Sequence, residues 1–375
     1  MLGTIETGAP VTMQEKLRVR EDEALRVDAG VLLNYVTQVF LALGLPDEDA
    51  AIAADVLVRA DLRGVDSHGV AHIQPEGFYV PWLRRGEVNP RPQIRVVTER
   101  PATALLDGDH GVGMVVGYRG MEEAIRRARD PGMAVVCVRN SSHFGMTGYY
   151  AMMALPHDMI GLAMTHASPM VVPTFGRDAL LGTNPIALAV PAGREPAFVL
   201  DMATSTVAAG KLEIAARMGV SIPEGWAADQ EGNPTTDPVT GRRARRLLPL
   251  GGTRDQGSHK GYGLAAMVDI LSGVLPGVGA TSMLSGGERG HFFAAIRVDA
   301  FQPVDEFKAM MDRMLGNLKG STPAGGHDRV YVAGEIEHEL ELERRAAGIP
   351  LHSEVVAGLR QVGEQLGVDC GFLGV

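Results

Sequence analysis

The stretch Asp61-Leu-Arg-Gly-Val-Asp-Ser-His-Gly69 sets a histidine between a hydroxyl and a glycine, just after two helices and ahead of a series of short apolar runs. Upstream, Val31, Leu32, Tyr35, Val36, Val39, Phe40 and Leu43 recur at helical spacing, and Gly44 with Pro46 supplies the stop. Asp47 is expected to cap a second helix that buries Ala50, Ala53, Val56, Leu57 and Ala60. Downstream, residues 102–107, 133–139, 159–165, 186–190, 197–201 and 292–298 are each about as long as one buried strand. Helical spacing appears at 112–129, 207–218, 260–274, 304–318 and 353–366, the last opening on a serine cap and closing at Gly367. The mixture predicts an α/β or α+β enzyme and leaves strand order and direction open. Residues 223–257 and 320–328 read as loops, and residues 330–333 as a final strand.

A chain of 375 residues, 45% hydrophobic and 21% charged, has the balance of a two-domain globular enzyme. Its net charge of −10 opposes a nucleic-acid partner, which needs a positive field. Cys137 and Cys370 cannot build a disulfide framework, which suits a reducing compartment. The longest apolar candidate, 262–280, is interrupted by Asp269 and Pro276, so no membrane span is expected. Residues 1–26 read as a disordered tail rather than an export signal, and the protein as cytoplasmic.

Familiar cofactor loops fail. Gly111-Val-Gly113 follows a strand, but Val116 occupies the third glycine position of a Rossmann fingerprint, leaving a helix-opening turn. Gly252 to Gly257 has P-loop glycine spacing, yet Ser258-His259 stands where Lys-Ser/Thr is required. His68 and His72 are four apart, as two ligands on a helix would be, but no third ligand is nearby and no metal is assigned. A Gly-x-Ser-x-Gly nucleophile elbow is missing too.

Among the polar clusters, His68 titrates near neutrality and can pass a proton to a carbonyl oxygen, with Ser67 to orient it; a capped, solvated histidine reads the same way. His143, in Asn140-Ser-Ser-His-Phe-Gly145 at a strand terminus, could hold a substrate carbonyl or satisfy its own loop. Thr183, Asn184, Asp201 and Ser205 bracket two strands and could meet ribose or phosphate, or simply make turns. Lys260 and Gly261 open a helix, where free N–H groups and a lysine suit a pyrophosphate; a surface lysine beside a cap is the bland alternative. Arg242, Arg243, Arg245 and Arg246 could take a 2′-phosphate or form a solvated loop.

Seven segments occur in order: Ala60-Asp-Leu-Arg-Gly-Val-Asp-Ser-His-Gly-Val70, Asn140-Ser-Ser-His-Phe-Gly145, Ser168-Pro-Met-Val-Val-Pro173, Leu181-Gly-Thr-Asn-Pro185, Asp201-Met-Ala-Thr-Ser205, Leu247-Leu-Pro-Leu-Gly251 and His259-Lys-Gly-Tyr-Gly-Leu264. Together, from about residue 27 onward, they resemble the non-Rossmann malate/L-lactate dehydrogenase family, whose members include ureidoglycolate, sulfolactate, diketogulonate and Δ1-piperideine-2-carboxylate oxidoreductases. The resemblance implies a mixed α/β, two-domain fold. A NAD(P)-binding domain on a largely antiparallel sheet, residues 131–299, is inserted into a substrate and dimerisation domain made of 27–130 and 300–375. It implies His68 as acid/base with Ser67 beside it, and His143 as a second histidine given that role in some members. It places Asp201, Met202, Ala203, Lys260, Gly261, Gly334 and Glu335 on segments that touch the dinucleotide, NAD or NADP, and makes a homodimer the expected assembly.

Two positions depart from the family pattern. His72 stands where many members carry an arginine that grips the substrate carboxylate, and neutral imidazole cannot form the bidentate fork of a guanidinium. Ala333 replaces the proline of Pro-Gly-Glu, a change expected to affect loop stiffness alone. The implied activity is hydride exchange between a nicotinamide cofactor and a small 2-hydroxy or 2-keto acid, with His68 as acid/base and Ser67 or Asp201 to orient it. The alternatives are reduction of a cyclic 2-imino acid, a nucleotide- or metabolite-binding protein weakened in catalysis, and a metal-dependent hydrolase using His68 and His72.

Overall fold

A computed structural model describes residues 23–284 and 286–374. The chain opens on β1 (Ala24–Val27), then α1 (Ala29–Ala42), α2 (Asp47–Leu62) and α3 (Tyr79–Arg85). Next come β2 (Arg95–Arg100), β3 (Thr103–Asp107), α4 (Gly113–Ala128), β4 (Met133–Ser141), α5 (Thr147–Met152), β5 (Met159–Thr165), β6 (Ile186–Val190) and β7 (Phe198–Met202). They are followed by α6 (Ala209–Arg217), β8 (Ala227–Ala228), β9 (Pro234–Thr235), α7 (Pro238–Ala244), α8 (Ser258–Asp269) and β10 (Arg289–Arg297). The chain closes with α9 (Val304–Lys319), α10 (Glu335–Ala347), β11 (Ile349–His352) and α11 (Ser353–Leu366).

Seven strands form one sheet in the order β2-β3-β4-β10-β5-β6-β7. Every neighbouring pair is antiparallel except β3 with β4, so the largely antiparallel sheet implied by the family resemblance is what the chain builds. One apolar core lies against this sheet, with Phe144, Tyr150, Phe293 and the inner face of α4. Another gathers α1, α2 and α3 with β11 and α11, so both chain ends enter the same core. The turn that carries His68 runs directly into Val70 and Ile73, which belong to this second core.

Several expectations are corrected. Residues 24–26, expected in the tail, pair with β11 in an antiparallel register, Leu25 opposite Leu351; residues 1–22 of that tail lie outside the described residues. The sheet reaches back to Arg95, so β2, β3 and α4 belong with strands that the boundary at residue 131 separated from them. β2 escaped sequence reading because it is an edge strand exposed along its whole length, with no apolar alternation to betray it. Residues 223–257 hold α7 and the small β8–β9 ladder. Residues 330–333 form no strand; they lead into α10, whose Glu- and Arg-rich sequence hides its short buried face. Pro46 rather than Asp47 is the N-cap of α2. His352 caps α11 by accepting the Glu354 N–H, and Ser353 is already helical.

Candidate active site

α2 stops at Leu62, and the chain turns through two short 3₁₀ segments, Asp66–His68 and Val70–Ile73. The turn is held from inside. The buried Asp61 carboxylate accepts the Val70 N–H at 2.8 Å. Arg344 of α10 donates to the Asp61 carbonyl and pairs with the Asp66 carboxylate. Buried Arg63 pairs with Glu341 of the same helix at 3.1 Å. Within this frame Ser67 Oγ lies 2.9 Å from His68 Nδ1, the orienting contact expected from the sequence.

The second histidine arrives at the end of β4. Asn140 takes φ 51°, its amide bonds the Asp107 carboxylate, and the chain leaves the sheet. Ser142 donates to the Gly111 carbonyl and accepts the Gly113 N–H, so the Gly111–Gly113 turn that opens α4 locks this loop. The three imidazoles converge. The His68 and His143 rings are nearly parallel with centroids 5.8 Å apart, and His72 stands 6.0 Å from the first and 5.6 Å from the second. Phe78 stacks on His72 at 4.6 Å and Trp82 on Phe78 at 5.2 Å, closing one wall with aromatic surface. Among the described residues, no group of three or more His, Cys, Asp or Glu is arranged to hold a metal ion.

The bonds at His143 fix its tautomer. Its Nδ1 accepts the Gly145 N–H, which can only donate, so the Tyr79 hydroxyl at 2.7 Å must donate as well. The ring proton therefore sits on Nε2, and His143 presents a fixed donor. Nothing so restrictive holds His68. Burial, and then the neighbouring His72, push His68 down to about 4; burial alone dominates at His72, also lowered to about 4. Burial likewise holds His143 well below the usual imidazole range. All three rings rest neutral at pH 7.

Asp201 makes no hydrogen bond to His68 among the described residues. At the end of β7 its carboxylate accepts the Gly148 N–H, 2.6 Å away in the first turn of α5. Protein crowded around the cleft raises this carboxyl and the Gly148 bond opposes the rise, while the side chain stays open to solvent. The bond that the structure shows for this carboxylate is to Gly148, not to His68. Met202 and Ala203, half-buried, follow it.

Two of the residues expected to meet the dinucleotide are occupied elsewhere. Asn184 is fully buried; its amide bonds the Ala265 carbonyl and Asp269, and its oxygen accepts the Ala167 N–H. Ser205 is buried and donates to the Val207 carbonyl. Thr183 contributes its carbonyl to a bond from Thr204, and its side chain is half-exposed. Glu335 is buried between Lys319 and the Val332 N–H, and Gly334 packs against Val199 of β7.

The start of α8 fits a dinucleotide best. A Cβ on Gly261 would come within 2.4 Å of the Leu250 backbone, so the helix start is pressed onto the Leu247–Gly251 segment. Lys260 is exposed there and folds back over Gly257, and among the described residues no carboxylate pairs with it. Arg254, which donates to His259 Nδ1, lies on the same turn. A lysine and a guanidinium at the positive end of a helix match the doubly charged pyrophosphate, although the Ser258 and Lys260 N–H groups already bond the Thr253 and Gly257 carbonyls. Sequence reading missed Tyr79, Arg344 and Glu341, whose roles depend on contacts 64 to 283 residues apart in the chain.

The profile of the malate/L-lactate dehydrogenase family matches residues 27–360. A malate dehydrogenase of Pyrococcus horikoshii is 45% identical over 93% of this chain and 98% of its own. An L-sulfolactate dehydrogenase of Methanocaldococcus jannaschii is 40% identical over 89% of this chain and 95% of its own. The crystal structure of a malate dehydrogenase from Entamoeba histolytica superposes with a TM-score of 0.89 at 35% identity, covering 92% of this chain and 99% of that one.

Proposed function

From its membership of the malate/L-lactate dehydrogenase family, to which this chain belongs, we propose that the protein interconverts a small 2-hydroxy acid and its 2-keto acid with NAD or NADP, using His68 as the acid/base. The observation that carries the reading is the neutral His68, oriented by Ser67 and facing the fixed N–H donor of His143 across 5.8 Å. When bound, the nicotinamide would supply the hydride chemistry at C2, as acceptor from the hydroxy acid or donor to the keto acid. The start of α8, with Lys260 and Gly261, would hold its pyrophosphate, and Met202 and Ala203 would lie along it.

The remaining chemistry belongs to this chain. In oxidation, neutral His68 removes the hydroxyl proton as the C2–O bond gains double-bond character. The Nε2–H of His143 donates to the same oxygen and holds it in place. In reduction the proton returns from His68 imidazolium to the new alkoxide. His143 cannot exchange roles with His68 without breaking the bond from Gly145 to its Nδ1.

A sign follows for pH. A ring whose pKa is lowered from 6.5 to about 4 keeps its base form well into acid. In the hydroxy-acid direction, kcat/KM is expected to stay level from neutrality downward and to fall only as pH drops below 6 toward 4. In the keto-acid direction it should fall as pH rises over that same window, because imidazolium is then lost. A break in the oxidative profile above pH 7 would contradict this assignment.

No helix among the described residues is long and apolar enough to cross a membrane. The reading includes a cytoplasmic location and a homodimer, the latter supported by exposed Ile270, Val274, Leu275 and Met283 around the end of α8. The test of function is a panel of malate, lactate, sulfolactate and ureidoglycolate, with their keto acids and a cyclic 2-imino acid, followed at the nicotinamide absorbance with both cofactors. Turnover of at least one 2-hydroxy acid is expected. Dinucleotide binding without turnover of any member would leave a binding protein, and activity lost to a chelator would favour the hydrolase reading.

A further inference from the structure

Along β10, Arg289, His291 and Phe293 alternate onto one face of the sheet. His291 stacks on Phe144 at 4.5 Å, and Phe293 packs near the same ring at 6.4 Å. Arg289 is opposite Ser141, and the extra residue of the local bulge falls in β4 beside Asn140. Its side chain is therefore carried on the same face of β10 as His291, which stacks on Phe144, and its charge is felt at the adjacent His143.

Arg289 is only 8% exposed. Two of its five N–H donors are engaged, with the Glu288 carbonyl and Ser168 Oγ. Among the described residues no carboxylate lies within ion-pair distance of it. The other buried cations near the site are matched, Arg63 by Glu341 and Arg344 by Asp66. A desolvated guanidinium without a counter-ion is costly to keep, and burial pulls Arg289 down to about 10. The histidines offer no fixed positive charge, since His72 is held neutral against Phe78.

We infer that Arg289, backed by Ser168, is the group that grips the substrate's carboxylate, taking the part that neutral His72 cannot. The assignment rests on the hydroxy-acid reading and adds a specificity-determining residue to it. The planar fork pairs with both oxygens of the 1-carboxylate and brings C2 toward His68 and His143. It also explains why an acid should be turned over while the matching amide is rejected: the amide leaves the buried charge unpaired.

The experiment compares wild-type protein with Arg289→Lys and Arg289→Gln on the best acid from the panel and on its carboxamide, with NADH or NADPH binding followed by fluorescence. Arg289→Gln is expected to lower kcat/KM for the acid by about 10²- to 10³-fold, mostly through KM, and to abolish the preference for acid over amide. Arg289→Lys, which keeps the charge and guards against simple misfolding, should lose about tenfold. Dinucleotide affinity should stay within twofold in both variants. Unchanged acid-to-amide selectivity in both overturns the inference. So does weakened dinucleotide binding with unchanged KM for the acid, which would move Arg289 to a phosphate. A wild-type protein that turns over no acid removes the functional reading first and this inference with it.

Discussion

His68→Ala is expected to lower turnover of the hydroxy acid by about 10³-fold, near the middle of what a positioned acid/base contributes. Dinucleotide affinity, measured by fluorescence, should remain within twofold. The size of the loss follows from the absence of a stand-in. His143 is the nearest imidazole, but its Nδ1 already accepts from Gly145 and Tyr79, so its Nε2 bears a proton and cannot act as a base. His72 is 6.0 Å from the lost ring and packed against Phe78. Ser67 is a far weaker base once its partner is gone. The companion variant His143→Gln retains a side-chain N–H donor but has no titrating ring. Its expected loss is smaller, about tenfold, with the low-pH limb of the oxidative profile intact because that limb belongs to His68. If His68→Ala keeps wild-type turnover while His143→Gln is dead, the two histidines must exchange roles, and the tautomer at His143 must differ from the one its bonds impose.

Much of the scaffold was legible because apolar side chains repeat with the period of their element. Residues 159–165 and 186–190 match β5 and β6 to the residue, since each is a short, buried, apolar run. β2 and α10 were not legible, since a solvent-exposed edge strand and a charged helix bury too little to leave a period. At the site, sequence singled out the two histidines proposed to handle the proton and missed the residues that hold them still. His68 and His143 were visible as polar residues at element ends. Tyr79 was hidden as an ordinary buried aromatic, and Arg344 lies 278 residues from the Asp66 it braces. Asn184 and Ser205 show why the rest stayed ambiguous: a polar type in a promising segment is equally the type that satisfies a buried backbone, and their side chains make such bonds here.

Gly69→Ala carries the second large expected effect and separates crowding from backbone strain. Gly69 adopts φ −91°, which any residue tolerates, so conformational freedom is not what selects glycine here. Space is. A Cβ at this position would lie 1.8 Å from Asp61 Oδ1 and 2.2 Å from Asp61 Cγ, inside the buried carboxyl group itself. Asp61 cannot swing away cheaply, because it is buried and holds the Val70 N–H, and a displaced carboxyl would leave that donor unpaired. The methyl group must therefore push the turn outward, carrying His68 with it. Overpacking together with the lost buried bond is expected to cost about 2–4 kcal/mol in denaturant unfolding. A histidine shifted by about 1 Å should lower kcat/KM by about 10²-fold. Gly316→Ala in α9 is the opposite control: nothing lies within 4 Å of its added Cβ, and in a helix interior the change should stabilise by about 0.5–1 kcal/mol with activity unchanged. If Gly69→Ala behaved like Gly316→Ala, the Asp61 brace would not be what holds His68 in place, and the rigidity assigned to this turn would have to come from Arg344 alone.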